Sequence, residues 1–181
     1  GLGDVYKRQL ETLNRAAVFH PTGTGKSCIA WKVVEAHPQT TFFWLVAGAQ
    51  RLALRQAELT RYNGGTLPGN VRFCDCEKLA AATPEQWVRL GEQKPGCIVL
   101  DCYHELSAVC WAQSVQKLLR MCPQAKVLGL GVPNGAPVCA AAQELFADCI
   151  VSHMTVAEAM AAGTMPVPSA YAALLWPQEE E

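Results

Sequence analysis

The last third of the sequence lacks positive charge: all 15 Lys and Arg residues lie at or before Lys126, and residues 127–181 contain none. That stretch cannot grip phosphate by charge, so any contact with a polyanion has to be made by the first two thirds. No apolar run approaches the roughly 18 residues needed to span a bilayer, which excludes a membrane-spanning chain. Charged residues are scarce at 17% while hydrophobic residues reach 50% of the 181 positions, a balance that excludes a disordered chain. Nine cysteines, at 28, 74, 76, 97, 102, 110, 122, 139 and 149, form no CxxC pair, and no secretory leader is evident. Reduced, mostly buried thiols in a cytoplasmic protein are therefore expected. Cys74, Cys76, Cys102 and His104 come nearest to a metal set, but they have no recognised ligand spacing.

What is present has the size of one domain with a sizeable core. Residues 1–9, GLGDVYKRQ, resemble adapter-derived sequence at the end of an assembled reading frame and are excluded from the fold. On that expectation the domain runs over 10–165, and 166–181, with Pro166, Pro168 and Pro177, begins a linker. Short apolar runs recur at Ala16–Phe19, Thr41–Val46, Val71–Cys74, Cys97–Leu100, Val127–Leu130 and Cys149–Val151. Each is nearly continuous, as in strands buried on both faces. Stretches with helical spacing separate them: Ser27–Ala36, Leu52–Leu59, Pro84–Leu90, Trp111–Met121 and Ala140–Leu145. This alternation predicts an α/β domain with a mostly parallel sheet and helices on both faces.

The strongest chemical signal is His20-Pro21-Thr22-Gly23-Thr24-Gly25-Lys26-Ser27, between the first strand and the first helix. Glycines let such a loop curl so that its N–H groups face a phosphate chain, with the helix N-terminus adding its positive end. Lys26 would reach the outer phosphates and Ser27 would place its hydroxyl on a magnesium ion. Thr22, Gly23, Thr24 and Gly25 complete the cradle. His20 stands where the strict pattern asks for glycine. A second signal is the apolar run Ile98-Val99-Leu100 ending in Asp101. In phosphate-loop folds an Asp at the tip of a neighbouring strand completes the magnesium shell through water; elsewhere the same residue caps a helix or forms a turn.

Taken in order, these segments resemble the first RecA-like domain of bacterial superfamily 2 DEAD/DEAH-box helicases. The nearest group is that of restriction-enzyme motor subunits and UvrB-like helicases. The likeness covers about residues 14–172. Ala17–Ser27 is similar to motif I, Ala47–Gln56 to motif Ia, Asp101–His104 to motif II and Leu128–Asn134 to motif III. Ile150–Pro168, with its TVAEAMAAG helix, resembles the approach to a second motor domain. The resemblance implies a P-loop NTPase that binds ATP and Mg2+ and tracks nucleic acid, DNA in preference to RNA. Lys26, Asp101 and His104 would act in catalysis, and Ser27 and Asp101 at the metal. Arg51 and Arg55 would lie along the nucleic acid; a solvated helix face is the alternative for that pair, with Arg61. His104 would couple motifs II and III, or else be a buried, hydrogen-bonded histidine.

Departures from the family pattern bear on turnover. The acid that follows the motif II Asp is here Cys102, and losing a general base typically costs ~10²- to 10⁴-fold in rate. Gly131-Val132-Pro133 replaces Ser-Ala-Thr, removing two hydroxyls, while Gly135, Ala161, Ala162 and Ser169 stand where relatives place basic residues. The resemblance also implies a second RecA-like domain that supplies arginine fingers, worth ~10³ to 10⁵ in comparable systems. Two functions follow: the ATP-binding domain of a helicase or translocase impaired in turnover, or a non-hydrolysing nucleotide-binding module or decayed remnant. A small-molecule kinase would need phosphate-binding arginines in a later lid, and no Arg follows Arg120.

Overall fold

The computed structural model describes residues 14–101, 105–133 and 140–165. Its strands are β1 (Arg15–Phe19), β2 (Phe42–Val46), β3 (Val71–Asp75), β4 (Cys97–Asp101), β5 (Lys126–Gly131) and β6 (Ile150–His153). They form one sheet in the order β3-β2-β4-β5-β1-β6, and every pairing is parallel. The α/β class with a parallel sheet is as the alternation predicts. Each strand overlaps the apolar run expected for it, and β2 and β4 are buried at every residue, as strands covered on both faces are.

Helices α1 (Lys26–Ala36) and α2 (Ala49–Tyr62) follow β1 and β2. Short helices α3 (Cys76–Ala80) and α4 (Pro84–Glu92) join β3 to β4. Between β4 and β5 run α5 (Ala108–Cys110), a π-helical segment (Trp111–Gln116) and α6 (Lys117–Met121); α7 (Ala140–Phe146) and α8 (Val156–Ala161) flank β6. α4 starts with Pro84 and a capping box in which Thr83 and Gln86 exchange hydrogen bonds, and α8 has the same device in Thr155 and Glu158.

The strand order explains which helix goes where. From β1 the chain steps toward one edge of the sheet, to β2 and then β3; from β3 it steps back through β4 and β5 to β6. Parallel connections are right-handed, so reversing the direction of travel moves the connecting helices to the other face. Two cores result. Ala16, Val18, Phe42, Trp44, Val99, Leu128 and Leu130 meet Ala30, Val34 and Leu59 of α1 and α2. On the other face Ala17, Phe43, Leu45, Ile98 and Leu100 meet Trp87, Trp111, Leu118 and Phe146. Trp31, Trp44, Trp87 and Trp111 are all buried and pack in the two cores. No helix among the described residues is long and apolar enough to cross a membrane.

The same reversal places a site. Chain leaving β1 turns to one face while chain leaving β5, its neighbour, turns to the other, the kind of switch point that leaves a crevice at the C-terminal ends of an open parallel sheet. The loop His20–Gly25 begins there.

Candidate functional site

Loop geometry begins with its glycines. Gly23 and Gly25 have φ of 86° and 88°, and a Cβ at either would meet open space. This is the left-handed region that L side chains rarely occupy. Thr24 Oγ1 donates to the Pro21 carbonyl at 2.8 Å and tightens the turn. Gly25 is the N-cap of α1, so it has no side chain with which to bond the first N–H groups of the helix. The first turn also holds no acidic residue to offset the positive end of the dipole. Lys26 is buried, and its Nζ donates to the carbonyls of His20 at 2.7 Å and Pro21 at 2.8 Å, which curls it over the loop. Ser27, the second residue of α1, is buried beside it.

His20 anchors the loop to both neighbouring strands. Its backbone N–H donates to the Gly131 carbonyl of β5 at 3.2 Å, and its Nε2 lies 2.7 Å from Ser152 Oγ of β6. Burial, then the charges of Lys26 and His153, push its pKa below the ordinary value.

Asp101 ends β4, two strands from β1. Val18 is level with Leu130 and Leu130 with Asp101. With neighbouring strands a little under 5 Å apart, the carboxylate strand lies about 10 Å from the loop strand across the sheet. Alternation along β4 sends Val99, and with it Asp101, to the face that carries α1 and α2. Sequence reasoning brings Lys26, Ser27 and Asp101 to one edge of the sheet, and the fold places them there.

The partners of Asp101 are less expected. Its side chain is only 1% exposed, and Arg55 of α2 donates to it from both Nε and Nη2, the latter at 3.5 Å. Trp44 Nε1 donates to Oδ2 at 3.2 Å. Arg55 Nη1 also donates to Glu58 at 2.8 Å, so its guanidinium bridges two carboxylates. Burial alone would lower the Arg55 pKa, but Asp101 and Glu58 outweigh it and hold it above the ordinary value. One helical turn away, Arg51 pairs with Glu105, both side chains being half-exposed. Arg51 and Arg55, expected along a nucleic-acid track, thus face the acids that end or follow β4. Cys102, Tyr103 and His104 lie outside the described residues, as do Asn134, Gly135 and Ser169 among the expected motif positions, and the flanking segments 1–9 and 166–181.

Four residues of this arrangement escaped sequence reasoning as site elements: Trp44, Glu58, Asp75 and Glu105 as the partner of Arg51. Asp75 accepts from Gly48 N at 3.3 Å and Glu77 N at 3.0 Å, which ties the start of α2 to that of α3 and so sets where Arg51 and Arg55 stand. Arg51 and Arg55 are spaced by one helical turn, which puts both on one face of α2, but their acidic partners end or follow a strand and carry no matching periodicity.

Magnesium fits this donor set at one end only. Ser27 stands where a hydroxyl ligand is needed. Asp101, by contrast, has almost no exposed surface, and Arg55 and Trp44 occupy it with three hydrogen bonds, out of the roughly four acceptor positions of a carboxylate. A cavity of ≈ 580 Å³ lies away from all of this, at the C-terminal end of α1 between Trp31, Glu35, Asn63 and Asn70. Compared with known proteins, the chain matches no family model and no curated sequence.

Proposed function

We infer that this chain is a nucleotide-binding domain of the RecA-like P-loop kind, holding the phosphate chain of ATP on His20–Ser27. One observation carries the reading. The glycine loop, with Gly23 and Gly25 at positive φ and Lys26 folded over it, leads into α1 in the crevice where the sheet's connections diverge. Together with the likeness in motif order, this supports descent from the ATP-binding half of a superfamily 2 helicase or translocase. Such a domain would work on DNA in the cytoplasm beside a second RecA-like domain, and its own turnover would be impaired.

A second reading, a nucleotide-binding module without hydrolysis, is favoured by the Arg55–Asp101 pair, which commits the carboxylate that a motor needs at its metal.

Calorimetric titration with ATP tests the common core of both. Binding should be measurable in the parent chain and weakened at least about tenfold in Lys26→Ala, since the loop then loses its lysine. Equal binding by the two proteins removes the phosphate-loop assignment.

A further inference from the structure

The phosphate loop has what a polyphosphate needs, while the carboxylate expected to hold its metal is already neutralised. Asp101 is buried, and its charge is balanced by a guanidinium in two-pronged contact. Arg55 is fixed from its other side by Glu58, three residues along the same helix, and Trp44 holds the Asp101 oxygen from the neighbouring strand. A divalent cation approaching Asp101 would have to displace Arg55, leaving the guanidinium with Glu58 alone, or sit beside a like charge. Neither alternative is favourable in a partly buried cluster where charges are weakly screened.

We propose that this chain binds its nucleotide without a divalent cation, the Arg55 guanidinium filling the acceptor positions of Asp101 that such an ion requires. The ligand class is a metal-free nucleoside polyphosphate, gripped by Lys26 and the N-terminal turn of α1. The proposal rests on the reading of His20–Ser27 as a phosphate cradle. It separates this chain from a motor in a feature that hydrolysis depends on: Arg55 and Trp44 already take three of the roughly four acceptor positions of Asp101.

The test is a pair of calorimetric titrations of the whole chain with ATP, one in excess EDTA and one in excess Mg2+. The dissociation constants should agree within about threefold, or binding should be weaker with magnesium. Binding at least about tenfold tighter with magnesium overturns the proposal and leaves the phosphate-loop reading intact. Absence of binding in both conditions, by protein that circular dichroism shows to be folded, overturns the loop reading and this inference with it. A variant adds a positive arm. Arg55→Gln uncovers Asp101, so it should gain magnesium dependence, binding at least about tenfold tighter with the ion than in EDTA. If folded Arg55→Gln binds equally in both conditions, Asp101 was not what withheld the metal and the proposal fails. Should that variant not fold, the parent titrations decide alone.

Discussion

His20 shows how much one side chain can hold together at the residue scale. It joins the His20–Gly25 loop to β5 through its backbone and to β6 through its ring, and it does so buried. Its pKa is lowered, chiefly by burial and then by Lys26 and His153, so between that value and the ordinary 6.5 the unfolded chain binds the proton and the folded chain does not. Stability attributable to His20 is therefore present above the unfolded value and is lost as pH falls below it. Thermal midpoints measured between about pH 7 and pH 5 should fall with pH in the parent and fall less steeply in His20→Gln. Parallel slopes for the two proteins would show that the ring titrates without consequence for the fold. Sequence reasoning could mark His20 as a departure from the strict glycine pattern. It could not find Ser152, because 132 positions separate the two and only the β1–β6 pairing brings them together. The same limit hid the partners of Asp101. A carboxylate at a strand tip reads as a metal ligand or a cap until the neighbouring helix is in place, and Arg55 reads as surface charge until α2 is packed on β2 and β3.

Elements were legible wherever periodicity dominates, and less so where a single side chain rewrites the hydrogen bonding. Six apolar runs became six strands, and the long helical stretches became α1, α2, α4 and α7. The short α3 went unforeseen because five residues give no periodicity to read; Asp75 starts it by capping Glu77 N. Over Trp111–Gln116 the expected helix widens into a π-helical turn. Ser114 Oγ donates to the Cys110 carbonyl at 2.5 Å and so competes for the acceptor that the backbone ladder uses. Element packing also explains Gly129 in the middle of β5. A Cβ there would come within 2.6 Å of the Phe146 ring of α7, which is 1% exposed and closely surrounded. Gly129→Ala is expected to lower stability by about 1–3 kcal/mol through overpacking, read as a lower urea midpoint with an unchanged slope. Adding Phe146→Leu should restore part of the loss, because it removes the atoms the new methyl meets. A single variant as stable as the parent would show that α7 can shift away from the sheet without cost.

At the scale of the whole molecule, the sheet is one layer shared by two cores, and the cysteines report on both. Cys97 belongs to the core beneath α1 and α2, while Cys74 and Cys76 belong to the core on the other face. Burial pushes the thiols of Cys74 and Cys97 up to about 12, and that of Cys76 above its ordinary value as well. At about pH 8 all three should be inert to iodoacetamide in the native protein, because the thiolate is the nucleophile and burial suppresses it. Strands β2, β4 and β5 each present alternate side chains to both cores, so stripping the helices from one face removes the packing that fixes the strands for the other. The two faces should accordingly open as one cooperative unit. Labelling with iodoacetamide across a urea series, followed by mass spectrometry of the peptides, resolves the sites. Cys97 is expected to become reactive at the same urea concentration as Cys74 and Cys76. Earlier labelling of Cys74 and Cys76 alone would mean that α3 to α7 leave the sheet while α1, α2 and the His20–Gly25 loop stay folded. The candidate site would then sit on the more stable half of the domain, and ATP should protect Cys97 from labelling more strongly than it protects the other two.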